Sequence, residues 1–275
     1  MITRVVMQDR DRCHGSPQNA ERLLVDALSQ MPPDAKTKFL ITPGGFVYGQ
    51  FPVSWRAKTG WKSPTRAPLL IEDARLVVEN TITPRVIKLA KGRVDIITLC
   101  VDLRDYVSPY SMPGRHVELI AAYDVASEKV AGWTGKSYPV PSQEKELVHI
   151  RNLNSHLMNL AGEKVMILGC HDLNMWNPRG WANQRADSDR RKRCWMMRRL
   201  AERFQPTVVL QHPHDTDSPN IWTLGWAGIK THFPNLKAWT SAICYNNENG
   251  GKQRATLENV LRRTKSDFVS DIVVN

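Results

Sequence analysis

The sequence predicts an α/β fold in which short buried strands alternate with amphipathic helices. Two observations support this class. Segments rich in β-branched residues recur along the chain, and between them apolar residues recur at the spacing of a helix face. Because neither an internal repeat nor a low-complexity linker divides the 275 residues, we expect a single domain over residues 1–275.

The first predicted helix covers Asn19–Met31 and begins after Ser16-Pro17, which supply a cap and a first-turn proline. A short strand follows over Lys38–Thr42. Five further strands are expected at Val94–Asp102, Glu118–Asp124, Val165–Cys170, Val208–Gln211 and Thr240–Tyr245. Two further helices are expected at Gln143–Ala161 and Arg190–Phe204. We predict an irregular excursion near 49–68 and a C-terminal extension after about 246.

Composition narrows the class of protein. Hydrophobic residues make up 41% of the chain and charged residues 24%, as in folded proteins, and no apolar run approaches the ~20 residues that span a bilayer. Because the first twelve positions carry several charged residues, we expect no signal peptide there. The five cysteines are dispersed and lack CxxC spacing, which argues against disulfides and structural zinc. We therefore predict a cytoplasmic location with no membrane contact.

The most informative segment runs from Val165 to Asn174. An apolar strand ends at Cys170, and His171, Asp172 and Asn174 follow at the strand end, where reactive groups of α/β folds collect. Backbone N–H groups in such a turn lower the pKa of a thiol and stabilise an oxyanion. The alternative is a buried cysteine that acts as a small hydrophobic residue.

A second segment, Lys136 to Glu144, holds a lysine and a glutamate eight residues apart along a path stiffened by Pro139 and Pro141. A lysine near a thiol stabilises a thiolate or a tetrahedral intermediate, and the glutamate can orient the lysine. Alone, such a pair in a proline-rich loop is usually solvated.

Together the two segments resemble the carbon–nitrogen hydrolase (nitrilase) superfamily, whose members use a Glu–Lys–Cys triad. Lys136 to Glu144 is similar to the family stretch K-x-H-L-x-P-x-G-E, and the segment around Cys170 is similar to I-C-x-D. Asn19 and the strand ending in Pro43 resemble the family's N-terminal pattern, in which a strand ends in P-E-x-x-x-x-G. The resemblance extends over roughly residues 1–245 and implies a four-layer α-β-β-α sandwich.

The sequence departs from the family where the catalytic base is expected. The residue after Pro43 is Gly44, which cannot carry a proton. A substitute base among Glu72, Asp73, Asp172 and His171, a shifted alignment of the first strand, and a loss of hydrolysis remain as explanations.

The resemblance implies a mechanism that needs no metal and no cofactor. Cys170 attacks an amide or nitrile carbon, Lys136 and the backbone N–H of His171 stabilise the adduct, and a thioester is hydrolysed by water. The site residues implied are Cys170, Lys136 and Glu144 for catalysis, and His171, Asp172, Asn174 and His212 for substrate binding. By analogy we expect a homodimer. The alternative within the same fold is a binding protein that has lost catalysis.

A competing interpretation starts from the same strand end. Asp172 and Asn174 also resemble the G-D-x-N motif of the endonuclease/exonuclease/phosphatase superfamily, with His212 and His214 after a later strand. Ser266-Asp267 is followed by phenylalanine where that family has histidine. This hypothesis predicts a magnesium-dependent phosphodiesterase.

The net charge of +11 permits an anionic partner but says nothing about the fold. Arg190-Arg191-Lys192-Arg193 begins a predicted helix, where the helix dipole disfavours cations. Trp176, Trp181 and Trp195 interleave with basic residues there. We expect either a solvated, salt-bridged face or a surface for nucleic acid or another anionic partner.

Overall fold

The structure is a computed structural model, and it describes residues 2–8, 15–50, 67–104, 116–144, 146–182, 184–185, 187–216, 218, 220, 222–245 and 255–274. The described strands are β1 Ile2–Met7, β2 Thr37–Ile41, β3 Val47–Gln50, β4 Val94–Arg104, β5 His116–Asp124, β6 Lys129–Gly135, β7 Leu157–Leu160, β8 Glu163–Gly169, β9 Val208–His212, β10 Ala238–Ser241, β11 Ile243–Cys244 and β12 Val269–Val274. The described helices are α1 Pro17–Gln30, α2 Ala67–Thr81, α3 Pro84–Ala90, α4 Pro178–Ala182, α5 Asp189–Phe204, α6 Thr223–His232 and α7 Leu257–Arg263.

These strands form two sheets. The larger sheet has the order β11-β1-β2-β4-β5-β6, and β12 and β3 pair with β1 and β4. Its β1, β2 and β4 run parallel, whereas β4, β5 and β6 form an antiparallel meander. The smaller sheet has the order β10-β9-β8-β7, with β8, β9 and β10 parallel. The prediction of an α/β class is confirmed.

The two sheets pack against each other, and helices cover their outer faces. One core cluster joins α1, α2, α3 and the larger sheet to one face of the smaller sheet, which contributes Val165, Ile167, Val208 and Leu210. The alternate residues Met166, Leu168 and Val209 pack instead against α5 and α6. Because side chains alternate across a strand, the smaller sheet lies between the larger sheet and these helices. The exact four-layer sandwich stays a prediction.

Local sequence signals account for the two helices that match prediction best. The hydroxyl of Ser16 accepts a hydrogen bond from the backbone N–H of Asn19 at 3.4 Å, and Pro17 occupies the first turn of α1. Ser188 caps α5 in the same way through the N–H of Arg191, at 3.2 Å. Both helices bury one apolar face, as their periodicity predicts.

The predicted helix over Gln143–Ala161 was wrong. A 3₁₀ turn at Pro141–Gln143 ends where that stretch begins, and the stretch itself contains a second 3₁₀ turn, Leu153–His156, followed by strand β7. Ala161 and Gly162 both have positive φ angles, 48° and 72°, and join β7 to β8 as a tight hairpin. The pairing of β7 with β8 therefore outweighs the helical spacing of the leucines.

Two other regions also differ from expectation. The predicted strand Thr240–Tyr245 is divided at Ala242, because β10 belongs to the smaller sheet and β11 to the larger one. The segment predicted as a C-terminal extension supplies α7 and β12, and β12 pairs along the whole length of β1. Most of the predicted excursion, residues 51–66, lies outside the described residues. None of the described helices has the length and apolar character needed to cross a membrane.

Candidate active site

Cys170 lies at the end of β8, where the smaller sheet meets the larger one. Its side chain is buried, with 7% of the residue exposed. Strands β8 and β9 are parallel neighbours, with Gly169 opposite His212. Their carboxyl ends therefore bring Cys170 and the segment that follows His212 to the same edge of the sheet.

The larger sheet contributes two buried carboxylates and a lysine to this edge. Asp102 on β4 lies directly opposite Glu118 on β5. Lys136 follows the last residue of β6, and its backbone N–H donates to the carbonyl of Glu118 at 2.9 Å. All three side chains are buried.

Lys136 and Glu118 form a buried ion pair. Nζ of Lys136 donates to Oε1 of Glu118 at 2.9 Å, and the two side chains are 1% and 9% exposed. Burial lowers the pKa of Lys136, but the charges of Glu118 and Cys170 outweigh burial and raise the pKa above its ordinary value. Burial raises the pKa of Glu118, but His214, Lys136 and His116 bring that pKa well below its ordinary value. Both groups are therefore charged at neutral pH.

The sequence predicted Glu144 as the partner of Lys136, but the structure pairs Lys136 with Glu118. Glu144 follows the 3₁₀ turn at Pro141–Gln143, its side chain is 48% exposed, and its Oε1 lies 3.9 Å from Nε of Arg190. The eight-residue spacing does not return Glu144 to the lysine because that 3₁₀ turn carries it toward α5. The carboxylate that orients Lys136 comes from the adjacent strand instead.

A close approach between the sheets holds Lys136 beside Cys170. A Cβ atom added to Gly169 would lie 2.8 Å from Cα of Lys136, so only glycine permits this separation. Asp172 fixes the same contact. Its Oδ1 accepts from the backbone N–H groups of Ser137 and Tyr138 at 2.9 and 2.7 Å, and its Oδ2 accepts from that of Gly169 at 2.8 Å.

This arrangement changes the role predicted for Asp172. The residue is fully buried, and both carboxylate oxygens bind backbone donors. Asp172 therefore anchors the segment that carries Lys136, and the substrate contact predicted for it is not supported. For the same reason, Asp172 is not available as the magnesium ligand that the phosphodiesterase hypothesis requires. Within the described residues, no group of three His, Cys, Asp or Glu side chains has the arrangement of a metal site.

The electrostatic surroundings of Cys170 favour the thiolate. Burial raises the pKa of the thiol, but the charge of His171, hydrogen bonds from His171 and His214, and the charge of Lys136 together lower the pKa to about 5. By contrast, burial raises the pKa of Cys100, which lines the same cavity, well above its ordinary value. The two thiols of this cavity therefore differ, because the pKa of Cys170 is lowered and that of Cys100 is raised.

His171 follows Cys170 directly, and Asn174 lies against His171; their predicted contact with substrate stays a prediction. Burial lowers the pKa of His171, but the charge and hydrogen bond of Cys170 outweigh burial and raise it. Nδ1 of His171 lies 3.4 Å from Nδ2 of Asn174, and its ring packs edge-on against Trp222 with centroids 5.8 Å apart. Both polar side chains therefore remain within the candidate site.

His212 also lines the cavity beside Cys170. Its Nδ1 lies 2.7 Å from the carbonyl oxygen of Thr42, and its Nε2 is buried with no hydrogen-bond partner among the described residues. Burial lowers the pKa of His212 to about 4, so the ring is neutral at pH 7. The cavity has a volume of about 10 Å³, close to the lower limit for one water molecule.

His214 is the functional candidate that the sequence did not single out as a catalytic group. Its Nε2 lies 2.8 Å from Oδ2 of Asp102, and its Nδ1 lies 3.7 Å from Oε2 of Glu118. Burial lowers the pKa of His214, but these carboxylates raise it well above its ordinary value. The signal available in the sequence is the His212-Pro213-His214 segment, which directly follows the predicted strand Val208–Gln211.

Two substitutes considered for the missing base lie elsewhere. Glu72 is exposed on α2 and pairs with Arg75 at 3.2 Å, and Asp73 follows it on the same helix. Neither lines the cavity that contains Cys170.

Comparisons with known proteins support the fold. No family model and no curated protein matches the sequence. Among solved structures, a Cys→Ala variant of the amidase from Nesterenkonia sp. AN1, of the nitrilase superfamily, has a TM-score of 0.51 at 17% identity and covers 91% of this chain and 78% of that chain.

Two further structures of that amidase match with similar scores. A Glu→Gln variant, in which acrylamide has added to the active-site cysteine, has a TM-score of 0.50 at 17% identity and covers 91% of this chain and 80% of that one. A Cys→Ala variant in complex with butyramide has a TM-score of 0.50 at 16% identity, with 91% and 78% coverage. The chain therefore has a nitrilase-like fold, as its motifs predict.

Proposed function

We propose that this protein is a carbon–nitrogen hydrolase that cleaves a small non-peptide amide or nitrile through a thioester on Cys170. The observation that carries the proposal is the environment of that thiol, which is buried beside Lys136 and has a pKa of about 5. A thiolate at neutral pH is the nucleophile that such a reaction needs. The nitrilase-like fold, shared with an amidase whose cysteine is reactive, supports the same chemistry.

In this proposal the thiolate of Cys170 attacks the amide carbon and forms a tetrahedral adduct. Lys136, kept charged by Glu118, and the backbone N–H of His171 stabilise the developing oxyanion. The carbon–nitrogen bond then breaks, ammonia leaves and a thioester remains. Water hydrolyses the thioester, which releases the acid and restores the thiolate. His212, His171 and Asn174 would contact the substrate.

Alkylation with iodoacetamide, read peptide by peptide from pH 4 to 10, tests the nucleophile. Cys170 should react with an inflection near pH 5, whereas Cys100, in the same cavity, should react far more slowly at neutral pH. Lys136→Ala should shift the Cys170 inflection upward. Reaction of both thiols at the same slow rate would contradict the proposal.

Release of ammonia from butyramide and from small nitriles tests the reaction. Turnover should survive a chelator and disappear in Cys170→Ala, while a mass increase on Cys170 should report the trapped acyl group. A binding protein without catalysis would show no ammonia and no acyl adduct. A magnesium-dependent phosphodiesterase would lose its activity in the chelator and keep it in Cys170→Ala.

The other partners predicted from the sequence are not required by this chemistry. A homodimer and a cytoplasmic location stay predictions. The anionic partner at Arg190–Arg193 also stays a prediction, because internal contacts engage much of the cluster. Arg191 donates to the carbonyl of Gln184 at 3.0 Å, Arg193 donates to the carbonyl of Ser137, and Arg190 lies 4.6 Å from the ring centroid of Tyr138.

A further inference from the structure

Gly44 leaves room for an imidazole at the position where the resemblance expects a catalytic carboxylate. A Cβ atom added to Gly44 would lie 2.8 Å from Nδ1 of His214 and 2.8 Å from the carbonyl oxygen of His212. The N–H of Gly44 donates to the carbonyl of Pro213 at 2.9 Å, which holds the two loops together. The segment after β9 therefore fills the space that a side chain at position 44 would need.

His214 connects the thiol to a buried carboxylate. Its imidazole lines the same cavity as Cys170, and its Nε2 lies 2.8 Å from Oδ2 of Asp102. The Asp102 side chain is 1% exposed and accepts a second bond from Arg104 at 2.8 Å, so it cannot rotate freely. A nucleophile, an imidazole and a carboxylate that orients it are the three parts of a nucleophile–base–orienter triad.

His171 is the rival proton carrier, since it follows Cys170 directly in the chain and its charge lowers the pKa of that thiol. Its Nδ1 lies 3.4 Å from the neutral amide of Asn174. His214 instead lies between two carboxylates, those of Asp102 and Glu118, at 2.8 and 3.7 Å. A carboxylate fixes the tautomer of an imidazole and stabilises its charged form far better than an amide does.

We propose that His214, oriented by Asp102, is the acid–base catalyst of this protein and replaces the carboxylate that Gly44 lacks. The inference rests on the proposed function of Cys170. His214 is assigned a catalytic role because it lines the cavity that holds the reacting sulfur, and Asp102, which contacts His214, is a positioning residue. The pKa directions support this role, since a lowered thiol pKa and a raised imidazole pKa give a thiolate–imidazolium pair in the resting protein.

The proton balance of the reaction then closes. The thiolate forms the sulfur–carbon bond and the carbonyl electron pair moves to oxygen. As the carbon–nitrogen bond breaks, the imidazolium of His214 gives its proton to the nitrogen, and ammonia leaves. The neutral imidazole next takes a proton from water, whose oxygen bonds to the acyl carbon. The carbon–sulfur bond breaks, Cys170 leaves as a thiolate, and the acid is released.

Substrates with matched acyl groups test this role. Expulsion of an amine needs a proton, whereas expulsion of p-nitrophenolate does not. His214→Ala should therefore lower kcat for butyramide by about 100- to 10,000-fold, the usual contribution of a general acid or base. The acylation burst with p-nitrophenyl butyrate should fall by less than about tenfold. Asp102→Asn should show the same amide-selective loss at lower magnitude, with a shifted pH profile and little change in KM.

A substrate-independent measurement accompanies the kinetics. In iodoacetamide alkylation, His214→Ala should shift the Cys170 inflection upward by at least about one pH unit, because an imidazolium beside a thiolate stabilises it. His232→Gln serves as a matched control, since that ring bonds the Gly228 carbonyl at 2.8 Å, away from the cavity. It should leave both the inflection and the amide-to-ester ratio unchanged. Added imidazole should partly restore amide turnover in His214→Ala.

The outcomes separate the two proposals. If His214→Ala leaves the Cys170 inflection unchanged, or lowers amide and ester reactions equally, the inference on His214 is overturned while the nucleophile stands. If His171→Ala produces the amide-selective loss instead, the proton carrier is His171. If Cys170 in the unaltered protein alkylates like an ordinary thiol, the proposed function itself fails.

Discussion

Lys136 donates to Glu118 at 2.9 Å, from the loop that follows the neighbouring antiparallel strand. The ion pair is buried, and the same two residues are joined by a backbone hydrogen bond. A lysine inside the protein stays charged only with such a partner. Glu118 is therefore the residue that keeps Lys136 charged.

Glu118→Gln should destabilise the protein because it leaves a buried ammonium without a counter-charge. Breaking a buried pair from one side costs about 3–5 kcal/mol, and we expect urea unfolding to show a loss of this order. Glu144→Gln is the matched control, since its side chain is 48% exposed, and it should change the free energy of unfolding by less than about 0.5 kcal/mol. Equal effects of the two substitutions would restore Glu144 as the partner of Lys136.

The separation of the sheets at the site depends on Gly169. A Cβ atom there would meet Cα of Lys136 at 2.8 Å and Oδ2 of Asp172 at 3.0 Å, and the first of these belongs to the backbone. Gly169→Ala should therefore cost about 1–3 kcal/mol in unfolding free energy and lower the alkylation rate of Cys170. Gly180→Ala is the control, because its Cβ would meet only ordinary contacts beyond 3.5 Å. A stable and fully reactive Gly169→Ala protein would show that the two sheets can move apart enough to accommodate the added methyl group.

Part of this site could be predicted from the sequence, because its signals are local. Cys170 is found where an apolar strand meets polar residues, and Lys136 is found by its spacing within a motif. The α1 helix is signalled by its cap and its apolar face. In each of these cases, neighbouring residues in the chain carry the information.

The rest depends on strand register, which spacing does not reveal. Asp102 and Glu118 belong to strands with buried residues on both faces, so no polar alternation distinguishes them. They reach His214 only because β4 pairs with β5 and because the second sheet brings the end of β9 against them. The same kind of pairing turned the predicted helix Gln143–Ala161 into a hairpin strand.

Asp172 should behave as a structural anchor. Asp172→Asn keeps the shape of the side chain but turns an amide N–H₂ toward at least one of three backbone N–H groups. An unsatisfied buried donor costs about 1–3 kcal/mol, so we expect a loss of that size in urea unfolding. Asn174→Ala should change stability by less than about 1 kcal/mol. A stable Asp172→Asn protein with altered magnesium dependence would favour the phosphodiesterase hypothesis instead.

His212 should make the protein less stable in mild acid. Burial lowers its pKa to about 4, whereas an unfolded histidine titrates near ~6.5. Since the folded state keeps the ring neutral, its contribution is fully present above about pH 6.5 and is lost as the pH falls toward 4. Over that range the loss amounts to about 3 kcal/mol. His212→Gln should remove this pH-dependent contribution to stability. Between pH 7 and 4.5, the free energy of unfolding of the variant should therefore fall less than that of the unaltered protein. Parallel pH dependences of the two proteins would contradict the buried neutral ring.

Arg193 should support catalysis from outside the cavity. Its guanidinium donates to the carbonyl of Ser137, next to Lys136, and lies 3.0 Å from Nε2 of His149. Because a displacement of about 1 Å in a catalytic group can cost as much as about 100-fold, we expect Arg193→Ala to lower kcat by about 10- to 100-fold. Lys192→Ala is the neighbouring control, since the Lys192 side chain is 63% exposed and its Nζ lies 3.8 Å from Oδ1 of the exposed Asp189. It should leave turnover unchanged. If instead both substitutions spare turnover and weaken salt-dependent binding of an oligonucleotide equally, the cluster is a nucleic-acid surface and does not support Lys136.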